Sequence, residues 1–228
     1  MQPARPQATV RTESGPSPPK LTPKTKETTV ATMVCLDMEG VLTPEIWIAF
    51  AEATNIPEFR RTTRDEPDYD KLMRMRLGLL EQHNLRLPDI QRVIGAMAPL
   101  PGAKKFLDDL RAEHQVIILS DTFYQFAAPL VAQLGTPTLF CNELVVDPEG
   151  RVTDYRLRIR DGKRQAVIAM KKLAFQVVAA GDSYNDTTML CEANRGVLFR
   201  CPDSVAQQFP QFARTETYEQ LKAALLSP

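Results

Sequence analysis

The sequence predicts an α/β fold, a doubly wound parallel sheet with a small helical insertion after its first strand. Three observations carry this. The short apolar runs Met33–Asp37 (MVCLD), Gln115–Leu119 (QVIIL) and Gln176–Ala180 (QVVAA) read as strands buried on both faces. Segments of helical period separate them, the alternation that winds helices onto both sides of a parallel, Rossmann-like sheet. Between the first run and the second, roughly residues 46 to 98 contain no convincing strand.

Residues 1–32 are rich in Pro, Thr, Ser and Lys and nearly devoid of large apolar side chains. Such a segment buries too little surface to offset its ordering, so a disordered tail is expected. Its five basic residues (Arg5, Arg11, Lys20, Lys24, Lys26) outnumber Glu13 and Glu27, as in a transit peptide. Scattered prolines argue against the amphipathic helix such a peptide needs. Met33, just before the first strand, is a second candidate start of translation.

Glu45–Ala53 has helical period, as do residues 66–98, with breaks at Pro67, Pro88 and Pro99. Gly102–Glu113 is an amphipathic helix. The strand Gln115–Leu119 stops at Ser120 and Asp121, and Phe123–Leu134 is a helix closed by Gly135. Thr138–Cys141, Glu143–Val146 and Val152–Arg158 read as strands, the last two joined by the turn Asp147–Gly150. Lys163–Leu173 is helical, and a helix of about ten residues follows the strand Gln176–Ala180 and the segment Gly181–Asp186. Gly196–Phe199 is the last strand and Thr217–Leu225 the last helix. The expected organisation is a core of residues 33–45 and 99–228 with a helical cap at 46–98.

A chain of 228 residues, 43% of them apolar, suffices for one such domain. A formal net charge of +0 gives no reason to expect nucleic acid or a membrane surface as partner. No apolar run reaches the length of a membrane span. Cys35, Cys141, Cys191 and Cys201 are not in CxxC spacing and read as buried or half-buried thiols of a reducing compartment, so a cytoplasmic location is expected. His83 and His114 stand alone and read as structural or surface residues.

In an open α/β sheet, ligands bind beyond the carboxyl ends of the strands. The first strand ends at Asp37, with Glu39 two residues on; the second ends at Ser120; a later one ends at Gly181-Asp182, followed by Asn185 and Asp186. Lys163 opens a helix that can reach the same rim. Phosphoryl transfer needs this set: a nucleophile, positive charge and donors for the phosphate oxygens. Asp37 suits an aspartyl-phosphate nucleophile. Glu39 suits a general acid, then base. Ser120 donates to the phosphoryl group, Lys163 neutralises its charge, and Asn185 donates to phosphate or water. Asp37 and Asp182, with a backbone carbonyl and waters, suit the all-oxygen sphere of Mg²⁺, and Asp186 a metal-bound water. Each residue alone has an ordinary explanation as a turn, cap or surface residue. Their joint order, each at an element boundary, is what points to chemistry. A receiver domain uses a similar set but has no helical insertion and no Gly-Asp-x-x-Asn-Asp, and no P-loop motif is present.

Asp37-Met38-Glu39-Gly40-Val41, Ser120-Asp121-Thr122-Phe123, Lys163 and Gly181-Asp182-Ser183-Tyr184-Asn185-Asp186 resemble the four motifs of the haloacid dehalogenase (HAD) superfamily. The phrases PEIWIAFAE, TTRDEPDYD, ILSDTFY, AAGDSYNDTTML and FPQF resemble its phosphoserine phosphatase and phosphoserine–homoserine phosphotransferase branch. The resemblance runs from about Met33 to the C-terminus. It implies a HAD-like core, Mg²⁺ as cofactor with the Glu39 backbone carbonyl among its ligands, and substrate contacts from Asp121 and Thr122. Two residues depart from the common first motif, Glu39 for Asp and Val41 for Thr; the closer branch shares the Glu. Either Lys163 or Arg164 can be the cation of the third motif, and Lys163 is favoured.

The insertion is expected to supply specificity. Arg76 offers bidentate recognition of a carboxylate, and Glu45 accepts from an ammonium group. Tyr69 and Arg76 are two helical turns apart and share a face. The resemblance places Glu45, Tyr69 and Arg76 where that branch binds the amino-acid portion of its substrate. L-phosphoserine is therefore the expected donor, water or homoserine the acceptor, and a homodimer the implied assembly. The alternatives are another small phosphomonoester as substrate and a non-catalytic scaffold.

Overall fold

The computed structural model describes residues 30–62, 65–66 and 68–227; the tail up to residue 29, for which disorder was expected, and Pro67 lie outside the described residues. Among the described residues the strands are β1 (Thr32–Leu36), β2 (Gln115–Phe123), β3 (Leu139–Val146), β4 (Val152–Arg156), β5 (Gln176–Gly181), β6 (Arg195–Phe199) and β7 (Ala213–Thr215). They form one sheet in the order β4-β3-β2-β1-β5-β6-β7. Every pairing is parallel except β3 with β4, which form an antiparallel hairpin at one edge. The helices are α1 (Ile46–Thr54), α2 (Tyr69–Gln82), α3 (Leu87–Ala96), α4 (Ala103–Arg111), α5 (Tyr124–Gln133), α6 (Gly162–Lys172), α7 (Thr187–Glu192), α8 (Asp203–Gln208) and α9 (Tyr218–Leu226).

Alternation along the central strands divides the core. Val34 and Leu36 of β1, Val116 and Ile118 of β2, and Val178 and Ala180 of β5 join one apolar cluster. Met33, Cys35, Ile117, Leu119, Val177 and Ala179 join another, with residues of α6, α7 and α8. A strand whose two faces are both covered must be apolar throughout, which is why these runs show no polar alternation. The larger cluster runs on into the β1–β2 connection, taking in Phe50 of α1, Phe59, Met73 and Leu77 of α2, and Ile90 and Ile94 of α3. Trp47 stacks on Phe59 at 5.6 Å and meets Phe126 of α5 edge-on at 5.1 Å. The inserted helices thus share their apolar packing with α5 and the sheet.

Several boundaries differ from those the sequence predicts. β2 continues past Leu119 to Phe123, with a register shift against β3 between those two residues. Thr138–Cys141 and Glu143–Val146 belong to one strand, β3. In place of a ten-residue helix after Gly181–Asp186 there is a 3-10 turn at Tyr184–Asp186 and the six-residue α7. Pro88 lies in the first turn of α3, where its missing N–H costs nothing, so the break falls before it, at residues 83–86. The short α8 and β7 were not foreseen. Cys191 is exposed, whereas the other three cysteines are buried. No helix among the described residues is long and apolar enough to cross a membrane.

Phe126→Ala removes the ring that joins Trp47 to Phe123. Buried Phe→Ala changes cost about 3–5 kcal/mol. A single urea transition, shifted down by that amount, is expected; a separate early transition for the inserted helices would show that they fold as an independent unit.

Candidate active site

The sheet register brings the functional residues to one rim. Leu36 pairs with Ile118 of β2 and Ala180 of β5, so Asp37 sits level with Leu119 and Gly181. The Asp37 N–H donates to the Ala180 carbonyl at 2.9 Å. Ser120 and Asp182 lie one residue further out. The irregularity in β2 covers Ser120–Thr122, and such irregularities recur beside active sites because they re-aim side chains. There the Thr122 N–H donates to Ser120 Oγ at 3.2 Å.

Lys163, in the first turn of α6, is the centre of the site. Its Nζ is 2.9 Å from Asp37 Oδ1, 2.7 Å from Asp186 Oδ1 and 3.7 Å from Asp121 Oδ2. Lys163, Asp37 and Asp186 are all buried. Burial by itself would lower the Lys163 pKa; the Asp186, Asp37 and Asp121 carboxylates outweigh it and hold the ammonium charged. Arg164 instead pairs with Glu192 at 3.2 Å and does not line the cavity, so of the two cations it is Lys163 that lies among the acids.

Asp186 accepts the Asp182 and Ser183 N–H groups on Oδ2 at 2.9 and 3.1 Å, with Lys163 on Oδ1. Its carboxylate folds over Gly181, where a Cβ would lie 2.3 Å from Asp186 Cγ. The glycine and final aspartate of this motif are therefore one packing unit. Asp186 does not line the cavity; Asp37 and Asp182 do. Gly40 has φ +75°, and a Cβ there would come 2.3 Å from Asp182 Cγ.

Asp37 accepts on Oδ1 from the Met38 N–H at 2.7 Å as well as from Lys163. Carboxylate oxygens of Asp37, Asp182 and Asp186 lie within 4.8 Å of one another. Burial, then the Asp186 and Asp182 charges, push the Asp37 carboxyl well above the usual range against the pull of Lys163. Burial and the Asp186 and Glu45 carboxylates raise Asp182 to about 7. One ammonium does not balance this group of buried acids. A hard divalent cation with oxygen ligands fits both the charge excess and the donor set.

Glu39 is half-buried, and its Oε1 accepts from the Ile46 N–H at 2.9 Å, at the start of α1. Burial and the Glu45 charge raise it to about 7, opposed by that N–H, Arg76 and Lys163. A carboxyl poised there can both give and take a proton near neutrality.

These residues floor a cavity of about 740 Å³ whose walls include Glu45, Tyr69, Arg76, Thr122, Asn185 and Arg200. Arg76 is buried, with its guanidinium carbon 4.5 Å from the centre of the Trp47 ring. Its Nη2 donates to the Arg61 carbonyl at 2.7 Å, while its Nε is buried without a partner among the described residues. Burial lowers its pKa to about 10, so it remains a cation. Tyr69 Oη donates to the Asp121 carbonyl at 3.3 Å, and Asn185 Nδ2 to Asp121 Oδ2 at 3.0 Å. All the residues singled out in the sequence thus gather at one place, Asp186 just behind the cavity wall. Sequence reasoning missed Gly40, Trp47 and Arg200. Arg200 directly follows β6, so the strand-end rule that located Asp37 also points to it.

A model of haloacid dehalogenase-like hydrolases matches residues 34–190. The chain belongs to the haloacid dehalogenase-like hydrolase family. It is 58% identical over 194 residues to the phosphoserine phosphatase ThrH of Pseudomonas aeruginosa, covering 85% of this chain and 95% of that protein. It is 57% identical over 190 residues to a phosphoserine phosphatase of Pseudomonas syringae pv. tomato, covering 83% and 80%. Among solved structures, a phospho-aspartyl intermediate analogue of phosphoserine phosphatase superposes with a TM-score of 0.70 over 85% of this chain and 98% of that one, at 18% identity. At that identity the likeness speaks to the fold: this is a HAD-like α/β sheet with helices inserted after the first strand.

The clustered acids have a consequence for the metal-free protein. A carboxyl whose folded pKa lies above its unfolded value binds its proton more tightly when folded. Its stability contribution is complete below the unfolded value and lost as pH rises through the folded one. Asp182 and Glu39, raised from 3.8 and 4.5 to about 7, place that loss between weakly acidic and neutral pH. The urea midpoint without metal should be lower at about pH 8 than at about pH 5, Asp182→Asn should shrink the difference, and Mg²⁺ should restore stability at the higher pH. A midpoint that rises with pH would contradict this. Gly40→Ala, which displaces Asp182, should weaken metal affinity about 10- to 100-fold, measured by calorimetry, with the fold retained.

Proposed function

We propose that this chain is a magnesium-dependent phosphoserine phosphatase that also passes the phosphoryl group to homoserine. One observation carries the reading: a single cavity joins a floor of buried Asp37 and Lys163 and half-buried Asp182 to a wall bearing Arg76 and Glu45. The floor suits a phosphoryl group and the wall an α-amino acid. The names of the two Pseudomonas relatives support the same substrate.

In this reading residues 46–98 are the cap over a core of 33–45 and 99–228. The substrate carboxylate meets Arg76, whose buried Nε lacks a partner among the described residues, and its ammonium group meets Glu45. Ser120, Thr122 and Asn185 donate to the phosphate oxygens, and Lys163 balances their charge. Asp37 and Asp182, with the Glu39 carbonyl, would hold Mg²⁺, which supplies positive charge against the phosphate. Oδ2 of Asp37 attacks phosphorus; the phosphorus–oxygen bond to serine breaks, and Glu39 gives its proton to the departing oxygen. Glu39, now a carboxylate, takes a proton from water or from the homoserine hydroxyl. That oxygen attacks phosphorus and the bond to Asp37 breaks, restoring the carboxylate.

Incubation with phosphoserine and Mg²⁺, with and without homoserine, tests this by ³¹P NMR. Inorganic phosphate alone should form without homoserine, and phosphohomoserine in addition with it. Asp37→Asn should abolish both products while circular dichroism stays unchanged; retained turnover would exclude the covalent route. Arg76→Ala should raise KM for phosphoserine on the order of 10- to 100-fold, the loss of a charge-assisted contact to the carboxylate. An unchanged KM would move the substrate away from amino acids.

A further inference from the structure

The inserted helices are held to the core by two unlike seams. On one side Phe50, Phe59, Ile90 and Ile94 share an apolar cluster with Phe126 and Leu130 of α5. On the other, the start of α2 meets β4 through polar groups. Tyr155 Oη donates to Asp70 Oδ1 at 2.6 Å. Arg74 Nη1 donates to Asp154 Oδ1 at 2.8 Å, and its Nε lies 3.4 Å from Asp70 Oδ1. The Arg74 guanidinium sits 5.5 Å from the centre of the Tyr155 ring, and that ring packs edge-on against Tyr69 at 5.9 Å. Tyr69 in turn reaches the Asp121 carbonyl and lines the catalytic cavity with Arg76.

Asp37 and Lys163, each only 4% exposed, lie on the floor of the cavity, so the seating of the α2 wall over them governs what reaches them. The apolar seam parts at a high cost in exposed surface. The polar seam does not, because the side chains of Arg74, Asp154 and Asp70 are already 54%, 45% and 62% exposed and such pairs are individually weak. We propose that Tyr155 and Asp154 of the β3–β4 hairpin, with Asp70 and Arg74 of α2, form a clasp that holds the Tyr69 end of α2 over Asp37 and so sets the division of the phosphoryl group between water and an alcohol acceptor. This rests on the phosphoryl-transfer reading above. Water attacks from any opening. An amino alcohol must be held by the α2 wall, with its hydroxyl proton passing to Glu39 as its oxygen bonds phosphorus and the bond to Asp37 breaks. A loosened clasp admits water and disorders the acceptor's wall. The four clasp residues are positioning residues; they act through Tyr69 and Arg76.

The test measures the phosphohomoserine-to-phosphate ratio at fixed homoserine for the wild type, Tyr155→Phe, Arg74→Ala and Arg74→Lys. Tyr155→Phe keeps the ring against Tyr69 and deletes only the hydroxyl. Both Tyr155→Phe and Arg74→Ala should lower the ratio about two- to fivefold, the effect of one exposed polar contact, with Tm nearly unchanged. Arg74→Lys should recover part of it. Added salt should lower the wild-type ratio and leave Arg74→Ala insensitive. Ratios equal to wild type in both variants, or a wild type that makes no phosphohomoserine, overturn the clasp and leave hydrolysis standing. A wild type that turns over no phosphoserine overturns the underlying reading, and the clasp with it.

Discussion

The buried ammonium of Lys163 is the interaction on which the rest of the site depends. It lies within 3 Å of both Asp37 and Asp186, and all three side chains are nearly removed from water. Without it, acids at the ends of β1 and β5 could not share one dry pocket; removing one partner of such a group costs about 3–5 kcal/mol. The ion pair also ties three elements together at their ends: β1 through Asp37, α6 through Lys163 and the turn after β5 through Asp186. Asp186 then uses its other oxygen to hold the Asp182 and Ser183 amides. The position of Asp182 thus derives from Lys163 at one remove.

That arrangement deliberately leaves charge uncompensated. Burial first, and then the neighbouring carboxylates, raise the Asp37 and Asp182 pKa values against the pull of Lys163. A site that takes a divalent cation and a phosphate, as proposed, must be poorly satisfied without them. The buried Nε of Arg76, without a partner among the described residues, shows the same thing at the opposite wall. Stability given up at Asp37, Asp182 and Arg76 is offset by a core that continues unbroken from the sheet into the inserted helices.

What the sequence made legible follows from where the chemistry sits. Strands buried on both faces show as apolar runs, and the residue after such a run lies at the rim, so Asp37, Ser120 and Asp182 could be found without coordinates. The irregularity in β2 could not, because a register shift leaves the apolar pattern intact while moving Ser120–Thr122. The six-residue α7 and the three-residue β7 are too short to show a period; their neighbours define them. Lys163 and Arg164 are chemically alike, and only the phase of α6 sends one between the acids and the other to Glu192 on the surface. The Arg76–Trp47 stack joins residues of α2 and α1 that no local pattern pairs.

Glu39 is one of the two departures from the common first motif, and the structure supplies a physical reason for its longer arm. Glu45, the residue preceding α1, makes no side-chain cap, and Glu39 Oε1 fills that place by accepting from the Ile46 N–H. An aspartate, one methylene shorter, would have to leave either that N–H or the reacting oxygen. With Oε1 anchored, Oε2 would carry the proton of the proposed reaction from a fixed position. Fixed placement matters little to water, which is small, abundant and free to reorient. It matters more to a hydroxyl borne on an amino acid that, in the proposed reading, Arg76 and Glu45 hold in place. The same bond ties the acid/base group to α1, so any shift of the inserted helices moves the proton donor together with the substrate's wall. In the proposed reaction Glu39 is therefore the departure that couples the chemistry to the insertion, and that coupling favours an acceptor that must be held over one that need not be.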